Sequence, residues 1–295
     1  MKRYQTLFIN FDTVNTITIY HTSGAPLEAA RRLCGRYEAL FSRFQPGSDL
    51  WRINHALGAP VEVDEETAEL IARSIAYTEA TGGVFDITVG TLTGLWDFSG
   101  KQPPPAEASL QQAAGLVDSS RIQVEGRTVR VPAGVQLDLG GIAKGFIADK
   151  LAEFLRAEGV RSGMINLGGN ILLLGGKPDG SPWKVGLQRP REDSCEWAAT
   201  VEAEDVSVVT SGIYERGYDK HGARLHHVLN IKTGRPVESD LAAVSVICES
   251  STDADAYSTA FLCMGSERTK KLLKQRPSFK VFLQKRDGTT EWCGT

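Results

Sequence analysis

The segment TDADAYSTAF, residues 252–261, sets Asp255 and Thr259 four positions apart. On a helix, residues at that spacing share a face. A carboxylate and a hydroxyl are hard oxygen donors, which suit Mg²⁺ and not zinc. Two protein oxygens leave room for waters and a substrate phosphate, as Mg²⁺ normally requires. The pair also has a purely local use, in which Thr259 bonds back to its own helix and Asp255 supports the helix N-terminus.

A second stretch, LDLGGIAKGF at 137–146, brings an acid, a glycine pair and a lysine together. Asp138 alternates with Leu137 and Leu139 and points away from their face. Gly140 and Gly141 allow unusual backbone angles and the close approach of a ligand to the main chain. The helix that starts just after them offers unpaired N–H groups and a partial positive charge, to which Lys144 adds a full one. The sum suits a phosphate or pyrophosphate. The spacing is neither that of a Walker loop nor that of a dinucleotide GxGxxG turn. A strand-to-helix turn that simply needs glycines explains the stretch equally well.

The third segment, 211–236, carries His221, His226 and His227. Neighbours in a strand face opposite ways, so only one of His226 and His227 can face a given site. A histidine there is suited to act as a base near neutral pH; a surface histidine beside the turn at Lys232-Thr233-Gly234 is the plainer reading. The spacing is not that of a zinc helix. In the fourth segment, GGVFDITVGTLTGLW at 82–96, Asp86 precedes an alternating strand-like stretch, and Phe85 and Trp96 are placed to flank a flat ring, though such aromatics more often serve the core.

The elements that must position these groups follow from periodicity. Residues 5–20 alternate as strand, and 27–44 place Leu33, Tyr37, Leu40, Phe41 and Phe44 on one helical face. Asp64 heads a helix over 64–81 that Gly82-Gly83 stops. KQPPPAE at 101–107 reads as an exposed loop, and 121–131 as a hairpin about Glu125-Gly126. A strand ending near Leu139 precedes a helix over 142–158 closed by Gly159. Later strands form a meander, a helix capped by Thr252 ends at Gly265, and a hairpin about Arg286-Asp287-Gly288 closes the chain. Runs of strands with helices between some of them predict an α+β fold with mostly antiparallel sheets and packed helices. We expect residues 1–295 to form a single domain of two intimate lobes with a T-fold-like core.

The 295 residues are 41% hydrophobic and 23% charged, with a net charge of −3. No basic stripe points to nucleic acid. No stretch approaches 18 apolar residues, so no membrane span is expected. The N-terminus lacks the apolar core of a signal peptide, and five scattered cysteines fit reduced thiols better than a disulfide framework. The expected location is therefore cytoplasmic.

Taken together, the segments resemble the flavin transferase family called ApbE (FAD:protein FMN transferase). FDITVGTLTGLW, LDLGGIAKGFIADKL, INLGGNILLLG, TSGIYERGY, HHVLNIKTGRPV and DADAYSTAFLCMG are similar to family blocks in the family's order, and the resemblance runs from about residue 8 to residue 265. It implies Mg²⁺-dependent transfer of the FMN moiety of FAD onto a Thr or Ser hydroxyl of an acceptor flavoprotein, a post-translational flavinylation that releases AMP. By motif, it implies Asp255, Thr259 and the Gly141 carbonyl as Mg²⁺ ligands and His227 as the base. Asp138 and Lys144 should contact FAD, with Val84, Phe85 and Asp86 beside it. Phe11 should help hold the ring system, with Phe44 as a weaker candidate for the same task, and Leu229 or its neighbours should lie along the cofactor. Departures are HVLNI at 227–231 where the family usually has HIIDP, and FDT at 11–13 for the commoner MGT. A Mg²⁺-dependent FAD pyrophosphatase giving FMN and AMP, or a non-catalytic FAD-binding protein, are the alternatives.

Overall fold

The alternating N-terminal residues form a hairpin where one strand was expected over 5–20. In the computed structural model, which describes residues 1–190, 196–214, 216–220 and 223–294, β1 (Lys2–Asn10) pairs antiparallel with β2 (Thr13–His21). Phe11 and Asp12, the two residues between them, have φ of 57° and 54°, as the tight turn of a two-residue hairpin demands. A phenylalanine is strained in that region. Glu38 secures it by accepting a hydrogen bond from Phe11 N at 2.6 Å and another from the Asn10 side-chain amide.

In chain order there follow α1 (Ala25–Phe41), α2 (Asp49–Asn54), β3 (Val61–Glu62), α3 (Glu65–Ala80), α4 (Gly90–Thr93) and α5 (Glu107–Ala114). Next come β4 (Gln123–Glu125), β5 (Thr128–Arg130), α6 (Ala143–Ala157), β6 (Ser162–Leu167), β7 (Asn170–Leu174), β8 (Trp183–Gln188) and β9 (Trp197–Ala203). The chain ends with β10 (Ser207–Gly212), β11 (Gly217–Lys220), β12 (Ala223–His226), β13 (Leu241–Cys248), α7 (Ser251–Met264), α8 (Ser266–Leu273), β14 (Lys280–Lys285) and β15 (Thr290–Gly294). Eight strands make one antiparallel sheet in the order β1-β2-β6-β7-β10-β13-β14-β15.

The two expected lobes are two cores laid along this one sheet. The first packs Ile17, Ile165 and Leu172 of the sheet with Tyr37 and Phe41 of α1 and Phe146 and Leu151 of α6. The second packs Val209, Val244 and Val281 with Tyr257 and Phe261 of α7 and Leu273 of α8. Tyr77 and Met264 touch both. On other strand residues the β8–β9 ribbon sets Trp183, Val185, Leu187 and Val201 against Leu173, Val208, Ile247 and Phe282. Each large side chain so buried contributes about 1.5–3 kcal/mol.

Helix ends follow their local chemistry. The Asp64 side chain accepts from Glu66 N at 3.0 Å, and Gly159 and Gly265 stop α6 and α7 with φ of 84° and 78°. The cap of α7 is Ser250, not Thr252; Thr252 and Ser251 instead give their N–H groups to Asp149 of α6, at 2.9 and 2.8 Å. Two expected strands are absent. Residues 86–93 form turns and the short α4, and 135–139 follow a turn at Ala133-Gly134 without joining a ladder, save one bridge between Val89 and Gln136. Side chains supply what a neighbouring strand would give. Asn54 Oδ1 accepts from Leu137 N at 2.7 Å and its Nδ2 donates to Leu137 O at 3.0 Å, while Asp138 N reaches Ile87 O at 2.7 Å. The backbone is thereby satisfied without a sheet.

Candidate active site

The floor of the site is the contact between α6 and α7. Gly145 permits it: a Cβ there would stand 2.3 Å from Ser251 O and 2.7 Å from Asp255 Cβ. At this approach Gly145 N, an unpaired donor in the first turn of α6, gives its hydrogen bond to Asp255 Oδ2 at 2.8 Å. Asp255 is only 4% exposed. Burial pushes its carboxyl above the ordinary range, opposed by the Lys144 charge, Gly145 N and the Asn170 amide. One turn on, Thr259 Oγ1 lies 3.4 Å from where a Gly141 Cβ would stand and 3.2 Å from Ser211 Oγ. Its hydrogen-bond partner among the described residues is thus a β10 side chain, not its own helix. The helix face and the glycine bend therefore meet.

The donor set fits a hard divalent cation. A buried carboxylate with a raised pKa gains from a positive neighbour, and carboxylate, hydroxyl and carbonyl oxygens suit Mg²⁺. Among the described residues no three His, Cys, Asp or Glu side chains gather, so the set is not of the zinc type. Lys144 is the free charge of the site. Among the described residues its ammonium forms no ion pair or hydrogen bond, while it lies close enough to Asp255 and His227 to shift both.

Asp138 shapes the bend. Its Oδ2 accepts from Arg43 Nη1 at 2.7 Å and Thr93 Oγ1 at 3.0 Å, and its Oδ1 from Gly140 N at 2.9 Å. Arg43 was not anticipated from sequence: nothing around it announces a partner 95 residues away. Its guanidinium also lies 5.3 Å from the centre of the Phe44 ring, which is 75% exposed. Gly140 and Gly141 do not use the unusual angles open to glycine, since neither has a positive φ. A Cβ on Gly141 would meet Phe85 and Thr259 at 3.4 Å, ordinary contact; the glycine that space demands is Gly145.

The flanking residues divide by depth. Phe85 is buried, edge-on to Tyr77 with centroids 6.4 Å apart, and its ring edge backs Gly141. Val84 is half-buried beside it. Asp86 turns inward: Oδ1 accepts from Thr88 N at 2.8 Å and Oδ2 from Ser119 N at 3.0 Å, so it holds its own loop. Phe11 is partly buried on the hairpin turn. Phe85 and Trp96 pack with different clusters. Trp96 stacks on Phe98, centroids 5.7 Å apart, and donates to Gly234 O at 2.9 Å. Leu229 is buried behind this pair with Leu92 and Ala113.

The two adjacent histidines separate as alternation requires. His226 is 1% exposed, and its pKa falls to about 4 through burial and the charge of Arg286. His227 is partly buried, edge-on to Phe98 with centroids 6.5 Å apart. Its Nδ1 lies 3.2 Å from Arg216 O. A carbonyl only accepts, so Nδ1 carries the proton and Nε2 keeps a lone pair. Burial lowers its pKa, opposed by the hydrogen bond to the Arg216 carbonyl and by Asp138, and helped by the charges of Arg216 and Lys144. His221 lies outside the described residues. The turn after His227 survives the departure at 230, because Asn230 Oδ1 accepts from Lys232 N at 2.9 Å.

Comparison with known proteins gives consistent matches. The model of the ApbE family matches residues 11–283. The FAD:protein FMN transferase of Treponema pallidum is 35% identical over 271 residues, covering 86% of this chain and 75% of that protein. The enzyme of the same name from Escherichia coli K12 is 30% identical over 262 residues, 85% of this chain and 74% of its own. The crystal structure of the ApbE protein of Thermotoga maritima superposes with a TM-score of 0.91 at 30% identity, covering 99% of this chain and 97% of that one. The flavin transferase ApbE from Vibrio cholerae gives a TM-score of 0.87 at 25% identity, with coverage of 99% and 97%.

Proposed function

The chain belongs to the ApbE family, and from that premise we propose that it transfers the FMN unit of FAD to a Thr or Ser hydroxyl of an acceptor flavoprotein, with Mg²⁺ as cofactor and AMP as the second product. The names of its relatives support the reaction class. One observation carries the assignment to this site: a buried carboxylate, a hydroxyl and a glycine bend converge beside an ammonium without a partner among the described residues. A pyrophosphate resists attack because it is anionic; Lys144, with a cation that the oxygen donors would hold, would offset that charge.

Asp255, Thr259 and the Gly141 carbonyl would hold Mg²⁺, which when bound offsets charge on the pyrophosphate. Lys144 and the first turn of α6 attract the same anion. The Arg43–Asp138 pair holds the bend in place. Phe11, Phe44, Val84 and Phe85 offer apolar surface for the isoalloxazine ring, with Leu229 backing that wall and Asp86 fixing its loop. His227 takes the proton of the acceptor hydroxyl at Nε2. The hydroxyl oxygen then bonds to the FMN phosphorus, the anhydride P–O bond breaks, and AMP leaves with the bridging oxygen. Residues 1–295 act as one unit in this reading. The free thiols of Cys34, Cys248, Cys263 and Cys293 suit a reducing, cytoplasmic setting.

Incubation with FAD, Mg²⁺ and a Ser/Thr acceptor peptide tests the proposal by mass. A gain of one FMN unit is expected. AMP and free FMN without that gain would make the protein a pyrophosphatase, and no cleavage at all a flavin binder. Asp255→Ala should abolish Mg²⁺-dependent AMP release; unchanged release would remove Asp255 from the metal site.

A further inference from the structure

At the start of β7, Asn170 is 2% exposed, and its Nδ2 has no hydrogen-bond partner among the described residues. A buried amide donor left idle is costly. The other end of the same amide is fixed: Oδ1 accepts from Ser251 Oγ at 2.8 Å, and Ser251 Oγ in turn lies 2.8 Å from Ser207 Oγ. With Oδ1 held by a hydroxyl, the nitrogen is the end left to face other groups. One such group is the Asp255 carboxylate, one helical turn along α7 from Ser251 and on the same face. A flipped amide would set an oxygen against that carboxylate, and the Ser207–Ser251 pair opposes the flip.

We infer that Asn170 is a positioning residue: its Nδ2 supplies a second donor to Asp255 beside Gly145 N and so fixes the orientation in which the carboxylate meets a divalent cation. The inference rests on the reading of Asp255 as a metal ligand. The idle donor is thus left available to the carboxylate when a cation is bound. Partners of this kind typically change metal affinity by about 10–100-fold when removed.

The test is Mn²⁺ binding to the protein alone, read from the electron paramagnetic resonance of free Mn²⁺, with FAD affinity without metal measured beside it. Asn170→Leu keeps the size of the side chain and removes both polar ends. It should weaken Mn²⁺ binding about 10-fold or more and leave FAD affinity within about twofold. Ser251→Ala keeps the amide but frees its orientation, and should weaken Mn²⁺ binding in the same direction by a smaller factor. It decides the matter if Asn170→Leu does not fold. Mn²⁺ affinity that stays at the wild-type value in the folded variants, or falls only together with FAD affinity, overturns the inference. Asp255→Asn separates the two readings. If it abolishes Mn²⁺ binding while Asn170→Leu does not weaken it, only the role of Asn170 fails. If it leaves Mn²⁺ binding intact, the metal reading fails and the inference with it.

Discussion

Asp255 and His227 both feel the charge of Lys144, yet they are held by different means. Asp255 sits on a helix, 4% exposed, against a second helix so close that only glycine fits at the contact. His227 follows a short hairpin strand and leans on Phe98, with its backbone N–H and its Nδ1 both reaching one carbonyl, that of Arg216. Phe44, on a loop beside Asp138's partner Arg43, is 75% exposed. The floor is thus over-determined by backbone and helix packing, and the rim is aromatic and loop-borne. A phosphate and its cation are the same in every turnover and reward a rigid site. An acceptor protein must enter and leave, and mobile loops suit that task.

The sharpest way to break this contrast is at the rim. His227→Ala should slow transfer to an acceptor peptide by about 10²–10⁴-fold while FAD affinity changes only a few-fold. Single-turnover transfer and equilibrium binding measure the two. Equal losses in both would make His227 a binding residue and erase the division between floor and rim.

At the floor, Gly145→Ala should uncouple the helices. The new methyl would meet Ser251 O and Asp255 Cβ at 2.3 and 2.7 Å, so α6 must shift. Overpacking of this kind costs about 1–3 kcal/mol, and a shift near 1 Å in the carboxylate lowers AMP release about 100-fold. Gly141→Ala, whose Cβ meets only ordinary contacts at 3.4 Å, should stay within a few-fold of wild type. Equal sensitivity at the two glycines would show that flexibility of the bend, and not helix approach, sets the geometry.

This pair of glycines shows what the sequence could disclose. Helix ends were legible because their signals are local: Asp64, Gly159 and Gly265 act on their own backbones. The spacing of Asp255 and Thr259 was legible for the same reason. The demand on Gly145 comes from a helix more than a hundred positions away, and a window of sequence holds no trace of it. Asn54 is a similar case. By bonding both polar groups of Leu137 it lets an alternating segment remain outside any sheet, so periodicity misplaced a strand there. Arg43 was missed because its partner Asp138 lies 95 residues on. The ends of elements were readable, and the side chains that join elements were not.

A smaller effect is expected from the joint between α6 and α7. Asp149→Ala removes the acceptor of Ser251 N and Thr252 N. Lost caps cost about 0.5–2 kcal/mol, roughly 2–4 °C in Tm per kcal/mol for a chain of similar size. Thermal melts should show this loss, with AMP release and transfer falling together. A stable variant with wild-type AMP release would mean that Gly145 alone sets the approach of the helices.

The two histidines carry the contrast into pH. In its proposed role as base His227 must be neutral, and its pKa lies below the ordinary 6.5, so the acid limb of the transfer rate should fall below that value. His226 reports on stability instead. It is buried, with Arg286, His227 and Arg224 disfavouring its charge and the Val237 backbone favouring it, and its pKa is about 4 against 6.5 in the unfolded chain. As pH falls below 6.5 the unfolded chain binds the proton first. The stabilisation from a neutral His226 is therefore complete above 6.5 and is lost on the way down to about 4, at up to about 1.4 kcal/mol per pH unit. His226→Gln removes that proton and should flatten the dependence of the urea midpoint between pH 7 and 5 without moving the acid limb of transfer. If the limb moves and the midpoint slope does not, the roles of the neighbours are exchanged, and the side chain that serves the site is the one the fold has buried.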